Sequence, residues 1–536
     1  MAEKGATKNS KIRHGFETLL LVVFFLYVVV QALFNENEDL VIIPNAVMLL
    51  FFVLSVMHLF MGAKFEFGPH IIFTGLFLVI CVLSNIWAIR PDMSSVQCST
   101  LFKLWLMLIF VFNVLYQTKK LDLFPIALLV SSLVMCVYLL LVYGPSEYIT
   151  MLSEGDRLGG EVANENSIGL MASNACLICF YYGMLLNKRR FYLLLPLPLL
   201  TVAASGSRKA LVMVIFSFIM MYLLKPREKG DKRAFIRGIL GAIIAVSVFF
   251  LVLQLPMFDL VKGRMESFFN IFGDSSQVDN STMLRLKMIE AGWEVFLQNP
   301  FTGVGIGNSY IFVFEYTGQY YYTHNNYIEL LSSVGLFGTL FYYASYIYLL
   351  VKLLKRVKKR EPLVLLSLCM IVMTLVEDFA LVSYYSKSTF LELAFYFLVV
   401  RALYANDAEA ERAAYDAEHP LVSPFIKRSE ATFAAPVPIK SQLKNLGGFD
   451  PEALFGNSPF FVNEALSSDD SSGPRLEFEP PQMSVEMINA LVNEFVPPEN
   501  ADVPKDTEKA DGEQPVPEDT APDGSAEEEG KDLDGK

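Results

Sequence analysis

The stretch YYYTHNNYIELLSSVGLFGTLFYYASYIYLL, residues 320–350, begins with a polar cluster and continues as a long apolar run. A run of about 20 predominantly apolar residues is long enough to cross the ~30 Å hydrocarbon core of a bilayer as a helix. Similar runs recur throughout the first 404 residues, and they lack the polar positions that alternate with apolar ones in soluble proteins. The sequence therefore predicts an all-α, polytopic membrane protein.

About twelve such runs are predicted to be transmembrane helices. The seventh and eighth are short and are separated only by a few small residues. Together the runs form one predicted transmembrane domain, residues 16–404. In chain order they cover residues 16–34, 40–61, 69–88, 98–116, 123–143, 166–186, 190–205, 207–224, 235–254, 326–353, 363–383 and 387–404.

The distribution of basic residues predicts the orientation of the bundle. Loops on the cytoplasmic side of a membrane protein carry an excess of Lys and Arg. Residues 1–15 are basic, whereas the first loop, residues 35–39, contains no cation. This places both termini in the cytoplasm, with residues 1–15 as a cytoplasmic N-terminus. The later basic connections that fall on the same side are residues 119–120, 188–190, 225–237 and 352–360.

The last part of the chain differs in composition from the rest. Residues 405–536 carry 29 acidic and 10 basic side chains, so their net charge is −19 and that of the preceding residues is +6. A segment rich in proline and acidic residues cannot bury enough apolar surface to fold alone. We therefore predict a disordered acidic cytoplasmic tail, whose charge argues against binding nucleic acid.

One apolar island in this tail, residues 483–495, fits a rough helical face. Two interpretations are open: the island docks a cytoplasmic partner, or its amphipathic pattern is a product of chance. The residues that form the face are Met483, Ile488, Leu491, Val492 and Phe495.

The predicted outer connections contain cations, against the usual charge bias of membrane proteins. The largest of these connections is a loop of nearly 70 residues, 256–323. Positive charge on this side indicates an anionic ligand, although long loops also escape the bias. The cations are Arg90, Arg157, Arg208, Lys209, Lys262, Arg264, Arg285 and Lys287.

Residues 279–300, within the large outer loop, predict an amphipathic helix. Asn280 or Ser281 can cap its beginning, and Pro300 marks its end. Apolar residues recur there at steps of three and four, which places them on one face. We expect that face to lie on the bilayer surface or on the mouth of the bundle. It consists of Leu286, Ile289, Trp293 and Phe296.

The segment PFTGVGIGN, residues 300–308, has the glycine content of a nucleotide-binding loop. No predicted strand precedes it, and such loops follow a strand. Glycine also allows turns in which two backbones approach closely. We therefore predict a close backbone contact at residues 300–308.

His324 stands at the predicted outer mouth of the bundle. An imidazole can accept a proton near neutral pH, and such general-base catalysis typically contributes about 10²–10⁴-fold. Arginine binds phosphate with two parallel hydrogen bonds and stays charged. This combination suits the transfer of a sugar from a lipid diphosphate to a hydroxyl. A structural histidine bonded to a loop carbonyl is the alternative.

The spacing around His324 resembles the outer-loop signature of bacterial O-antigen ligases. His324 and Asn325 are followed by nine residues, Gly335, two residues and Gly338. Three further segments, over a region spanning residues 16–404, resemble the wider family of O-antigen ligases and O-antigen polymerases. They are SGSRKALV at 205–212, RLGGEVANENSIG at 157–169, and the run from Arg285 through Trp293 and Pro300 to Gly303 and Gly305.

The resemblance implies a glycosyltransferase in cell-surface polysaccharide assembly, with its site at the outer face of the cytoplasmic membrane. Its donor would be a glycan on undecaprenyl diphosphate, its acceptor a glycan or lipid A core, and it would use no metal or other cofactor. Ligase and polymerase activities both remain open. By resemblance, His324 is catalytic, Arg208, Arg285, Arg157 and Arg264 bind the diphosphate, and Asn325, Asn326 and Glu329 support them.

A secondary transporter of about twelve spans is the alternative from another class. Transporters place charged residues near the membrane midplane and contain repeated halves. Glu329, Glu377 and Asp378 lie in predicted spans and could serve in this way. No internal repeat is apparent in the sequence, and the long outer loop is unusual for that design.

Overall fold

The computed structural model describes residues 2–225 and 280–418, except 38, 155, 156, 161 and 319, together with single positions between 236 and 254. Throughout these residues the regular secondary structure is helical, which confirms the predicted class. The main helices are α1 Ala2–Phe34, α2 Ile42–Phe60, α3 Pro69–Leu83, α4 Pro91–Thr118, α5 Leu123–Glu154, α6 Glu165–Phe180, α7 Pro196–Ala204, α8 Arg208–Leu224, α9 Asn280–Gln298, α10 Ser309–Thr317, α11 Asn326–Arg356, α12 Pro362–Glu377 and α13 Lys387–Glu418.

Eight helices in the described residues are long and apolar enough to cross a membrane, so the chain is a multi-pass membrane protein. The predicted number of twelve is not reproduced there. The predicted spans 207–224 and 363–383 correspond to α8 and α12, with 17 and 16 residues. Most of the predicted span 235–254 lies outside the described residues. The qualifying stretches are Ile12–Phe34, Ile42–Phe60, Pro69–Ile86, Pro91–Thr118, Leu123–Tyr148, Glu165–Leu185, Asn326–Lys359 and Lys387–Ala410.

The predicted seventh span, residues 190–205, is not one continuous α-helix. It consists of the 3-10 segment Arg189–Leu194 and the nine-residue α7. Pro196 lies in the first turn of α7, where its missing N–H is tolerated. Its ring prevents an α-helix from continuing through it from the preceding turn.

Among the eight candidate spans, the one that contains α6 is the most buried: 83% of its apolar stretch is covered by other parts of the protein. α6 packs against α5, α7 and α8 and continues as the π-helical segment Tyr181–Leu185. Gly169 on α6 explains how closely α6 and the α7–α8 turn approach. A Cβ there would lie 2.6 Å from the Ser205 hydroxyl and 2.9 Å from the Ser207 Cβ. This packing fixes the position at which α8 begins.

Two helices continue well past the C-terminal ends predicted for their spans. α5 bends at Gly144, whose φ is 79°, and continues to Glu154. α13 continues past residue 404 to Glu418, and its Asp407 forms an ion pair with Lys359 at 3.1 Å. Residues 419–536, which include the apolar island of the tail, lie outside the described residues.

α11 is kinked at Gly335, which interrupts its hydrogen-bond ladder. The backbone of the glycine-rich segment fills the gap. Backbone groups of α11 that lose their partners at the kink bond instead to this segment, because buried backbone groups need hydrogen-bond partners. The hydrogen bonds run from the N–H of Val304 to the Ser332 carbonyl at 2.9 Å, from Gly305 to Ser333 at 2.9 Å, and from Leu336 to Pro300 at 2.8 Å.

The two glycines at this contact allow the backbones to touch. Gly303 has φ 64°, and a Cβ there would lie 2.4 Å from the carbonyl carbon of Ser333. Gly335 has φ 66°, and its Cβ would lie 2.3 Å from the carbonyl carbon of Phe301. The predicted close backbone contact at residues 300–308 is therefore confirmed.

Candidate functional site

His324 occupies the position directly before the cap of α11. Its φ is 55°, a left-handed conformation that only a few per cent of residues other than glycine adopt. Asn325 caps the helix, because its side-chain oxygen accepts from the N–H of Ile328 at 3.1 Å. The imidazole lies beside the Tyr322 ring, with 4.4 Å between centroids. The sharp turn at His324 therefore directs the chain into the bundle.

Glu329, one turn into α11, holds the residue that precedes His324. Its carboxylate is 4% exposed and accepts from the N–H and hydroxyl of Thr323, each at 3.0 Å. It also accepts from the Ser309 hydroxyl on α10. Buried carboxylates are stable only when hydrogen-bonded in this way. Glu329 therefore fixes the loop that carries His324.

Asn326 connects α11 to the turn between α12 and α13. Its side-chain oxygen accepts from the N–H groups of Ser383 and Tyr384, at 2.9 and 3.0 Å. Its amide nitrogen donates to Tyr343 and to Asp378, at 3.0 and 3.3 Å. All of its amide groups are thus bonded within the fold, and the side chain is fully buried. The side chain therefore joins the start of α11 to this turn.

The carbonyl groups at the end of α12 join α8 to α11. Lys209, in the first turn of α8, donates to the Ala380 carbonyl at 2.6 Å. The Asn325 amide donates to the adjacent Phe379 carbonyl at 3.3 Å. The start of α8 is therefore held beside the loop that carries His324.

Helix α9 lies against the beginning of α11, and small residues bring it close. A Cβ on Gly292 would lie 2.7 Å from both Ile328 and Thr323. The predicted helix is confirmed, and its predicted apolar face is a different face from the one that packs against α11. Leu286 and Trp293, on the predicted apolar face, are 41% and 42% exposed. The buried face consists of Met288, Ala291, Gly292 and Val295. The small residues Ala291 and Gly292 allow the two helices to approach closely.

α9 brings Arg285 to the candidate site. This half-buried side chain acts electrostatically on His324, Tyr322 and Lys209. Arg208 is linked to the same helix, because it donates to the Thr282 hydroxyl at 3.1 Å. Cations from α8 and α9 therefore converge around His324.

The environment of His324 lowers the pKa of its imidazole to about 4. Burial is the largest cause, and the positive charges of Arg285 and Lys209 add to it. Both effects oppose a further positive charge on the ring. At neutral pH the ring is therefore uncharged and has a nitrogen that can accept a proton.

Arg157 connects two segments that lie about 50 residues apart in the chain. Its Nε donates to the Ser205 carbonyl at 3.0 Å, and its Nη2 donates to the Asn166 oxygen at 3.1 Å. Its Nη1 lies 3.3 Å from the Glu165 carboxylate. Each guanidinium nitrogen thus has a protein partner. Arg157 also acts on Lys209, so it stands at the edge of the same cationic group.

Two other outer cations, Arg264 and Lys209, bear on the predicted site. Arg264 lies outside the described residues. Lys209 stood among the outer cations but was not predicted as a site residue, although it follows Arg208 directly. Only the contact between α8, α9 and α11 reveals its place beside His324. Within the described ranges, no three His, Cys, Asp or Glu side chains are grouped as metal ligands would be.

Residues 191–343 match the family model described as O-antigen ligase. The matched part begins just before α7 and ends in the second half of α11. It includes Arg208, Lys209, Arg285 and His324, whereas Arg157 lies outside it. No curated protein and no solved structure matches the chain.

Proposed function

Because this chain belongs to the O-antigen ligase/polymerase family, we propose that it transfers a glycan from undecaprenyl diphosphate to a sugar hydroxyl. The reaction would take place at the outer face of the cytoplasmic membrane, with both termini of the chain in the cytoplasm. The acceptor is a glycan or a lipid A core. The observation that carries this proposal is the group of cations from α8 and α9 around a histidine with a lowered pKa.

In the proposed reaction, the acceptor oxygen forms a bond with the anomeric carbon of the donor glycan. The bond from that carbon to the phosphate oxygen breaks, and undecaprenyl diphosphate leaves. The hydroxyl proton passes to the neutral imidazole of His324. The diphosphate linkage supplies the driving force, so the proposed transfer consumes no nucleotide. As the resemblance to O-antigen ligases implies, it would use no metal.

The cations would act on the leaving group. Negative charge grows on the diphosphate oxygens as the bond breaks, and fixed donors at that place lower the barrier by several kcal/mol. Arg208 and Arg285 suit this role because guanidinium groups bind phosphate oxygens in pairs. Lys209 adds a third positive charge, which acts on His324 together with that of Arg285. Thr323 and Glu329 would keep the imidazole in place during the transfer.

The test uses the purified full-length protein and lipid-diphosphate-linked repeat units, with and without a lipid A core acceptor. A ladder of products indicates a polymerase, and a single transfer onto the core indicates a ligase. We expect His324→Ala, Arg208→Ala and Arg285→Ala each to lose most activity while inserting normally. Lys287→Ala is the control, because Lys287 is exposed on the same helix as Arg285. Full turnover in the three site variants would rule out the proposed site.

A further inference from the structure

A cavity lies at the other end of the transmembrane bundle from His324. Its volume is about 300 Å³, and its wall is formed by the start of α3 and by parts of α4, α11 and α13. Lys352 in this wall follows the kink at Gly335 by 17 positions along α11, which corresponds to about 26 Å of helix at 1.5 Å per residue. The cavity therefore lies toward the end of α11 that is far from the loop that carries His324.

The first turn of α3 presents polar groups to this cavity. Gly68 is the N-cap and provides no side-chain cap, Pro69 has no N–H, and Ile71 donates to the Gly68 carbonyl at 3.0 Å. Among these first residues of α3, the backbone N–H of His70 therefore has no partner in the part of the chain that the structure describes. The positive end of the helix dipole lies at the same place. Such a terminus favours a bound anion.

His70, in the same turn, is an independent indication of a ligand. Its side chain is only 1% exposed and lines the cavity. Its Nε2 has no hydrogen-bond partner among the residues that the structure describes. Buried polar atoms normally have at least one hydrogen-bond partner. The ring stacks on Phe112 at 3.7 Å between centroids, which fixes its orientation.

The charged side chains around the cavity leave one net positive charge. Arg401 donates to Glu66 at 2.6 Å, so these two neutralise each other. Lys352 forms no ion pair with any described residue, and its ammonium group lies over the rings of Tyr404 and Tyr348, at 4.7 and 5.7 Å. One uncompensated cation matches a ligand with a single negative charge.

We propose that this cavity binds a phosphodiester whose apolar part packs among the aromatic rings. The phosphate would accept hydrogen bonds from the ring and the backbone N–H of His70, and Lys352 would balance its charge. An anionic phospholipid of the adjacent leaflet has this chemistry, as does a soluble glycerophosphodiester. The aromatic wall is formed by Phe67, Phe112, Tyr348, Phe397 and Tyr404.

The experiment measures lipid retention by native mass spectrometry of the full-length protein. Micelles contain added phosphatidylglycerol or, as the zwitterionic control, phosphatidylcholine. We expect one retained phosphatidylglycerol per chain, and at least a tenfold loss in Lys352→Met and in His70→Phe. Lys355→Met should retain lipid like the wild type, because Lys355 is exposed on the same helix outside the cavity. Unchanged retention in Lys352→Met and His70→Phe overturns the proposal.

Two further measurements, a competition and a cross-linking experiment, identify the source of the phosphodiester. Retention of phosphatidylglycerol in excess glycerophosphoglycerol assigns the site to the lipid, whereas displacement assigns it to soluble esters. A photo-reactive residue in place of Phe67, which is 67% exposed, should cross-link to the bound phosphodiester. Cross-links to residues 419–536 instead would show that the acidic segment fills the cavity and would overturn the proposal.

Discussion

Glu329 accepts two hydrogen bonds from Thr323, one from the backbone N–H and one from the hydroxyl, each 3.0 Å long. Thr323 immediately precedes His324, whose backbone is in a left-handed conformation. Strained conformations persist only where the surrounding structure holds them. The carboxylate of Glu329 thus positions the imidazole without contacting it.

This relationship predicts a positioning role for Glu329. Both donors of Thr323 bond the same oxygen, Oε2, so Glu329→Leu removes both hydrogen bonds. We expect kcat to fall about 10–100-fold, because small displacements of a reacting group are costly. KM for the lipid donor should change less. Glu290→Leu is the control, since Glu290 is exposed on α9. A wild-type kcat in Glu329→Leu would show that the contact is not needed.

A second prediction separates the imidazole of His324 from its backbone. Asn tolerates the left-handed conformation, so His324→Asn should fold with a normal unfolding temperature. Transfer should nevertheless fall about 10²–10⁴-fold, because the proton acceptor is lost. His324→Val should lower both stability and activity, since a β-branched residue is strained at φ 55°. Thermal unfolding and single-turnover transfer measure the two effects. Wild-type transfer by His324→Asn would contradict the role of the ring.

The pH dependence of transfer follows from the lowered pKa of His324. A base with a pKa of about 4 stays unprotonated far below the ordinary value of 6.5. The acid limb of kcat/KM, which reports the free enzyme, should therefore lie near pH 4. Removing the positive charge in Arg285→Gln should move this limb to higher pH, and Lys287→Gln should leave it unchanged. An acid limb near 6.5 in the wild type would refute this prediction.

The contact between the glycine-rich segment and α11 predicts a stability difference between two glycine substitutions. Gly335→Ala places a methyl group 2.3 Å from the Phe301 backbone, so we expect a loss of at least about 3 kcal/mol. Gly318→Ala is the matched control: φ there is 73°, but no atom lies within 4 Å of the added methyl group. Its cost should be only about 1–2 kcal/mol. Equal unfolding temperatures for the two variants would exclude the clash.

Much of the architecture was predictable because it depends on local sequence. Helix length and apolarity decide which segments cross a bilayer, and these properties lie within each run. The helix at α9 and the close turn at residues 300–308 were predictable from capping residues, periodicity and glycine. Pro196, by contrast, shortened one predicted span, since the apolar run alone does not show where an α-helix must be interrupted.

The candidate site was determined by packing between distant segments. The sequence indicated His324 and the outer arginines, but it did not show that Lys209 would lie close enough to act on His324. It also did not show that the side chain of Asn326 would form its hydrogen bonds with the α12–α13 turn and its neighbours. The face that α9 buries depends on Gly292 meeting Ile328 and Thr323, not on the periodicity of α9 alone. Periodicity describes one helix at a time, whereas burial and charge at His324 arise from the meeting of three helices.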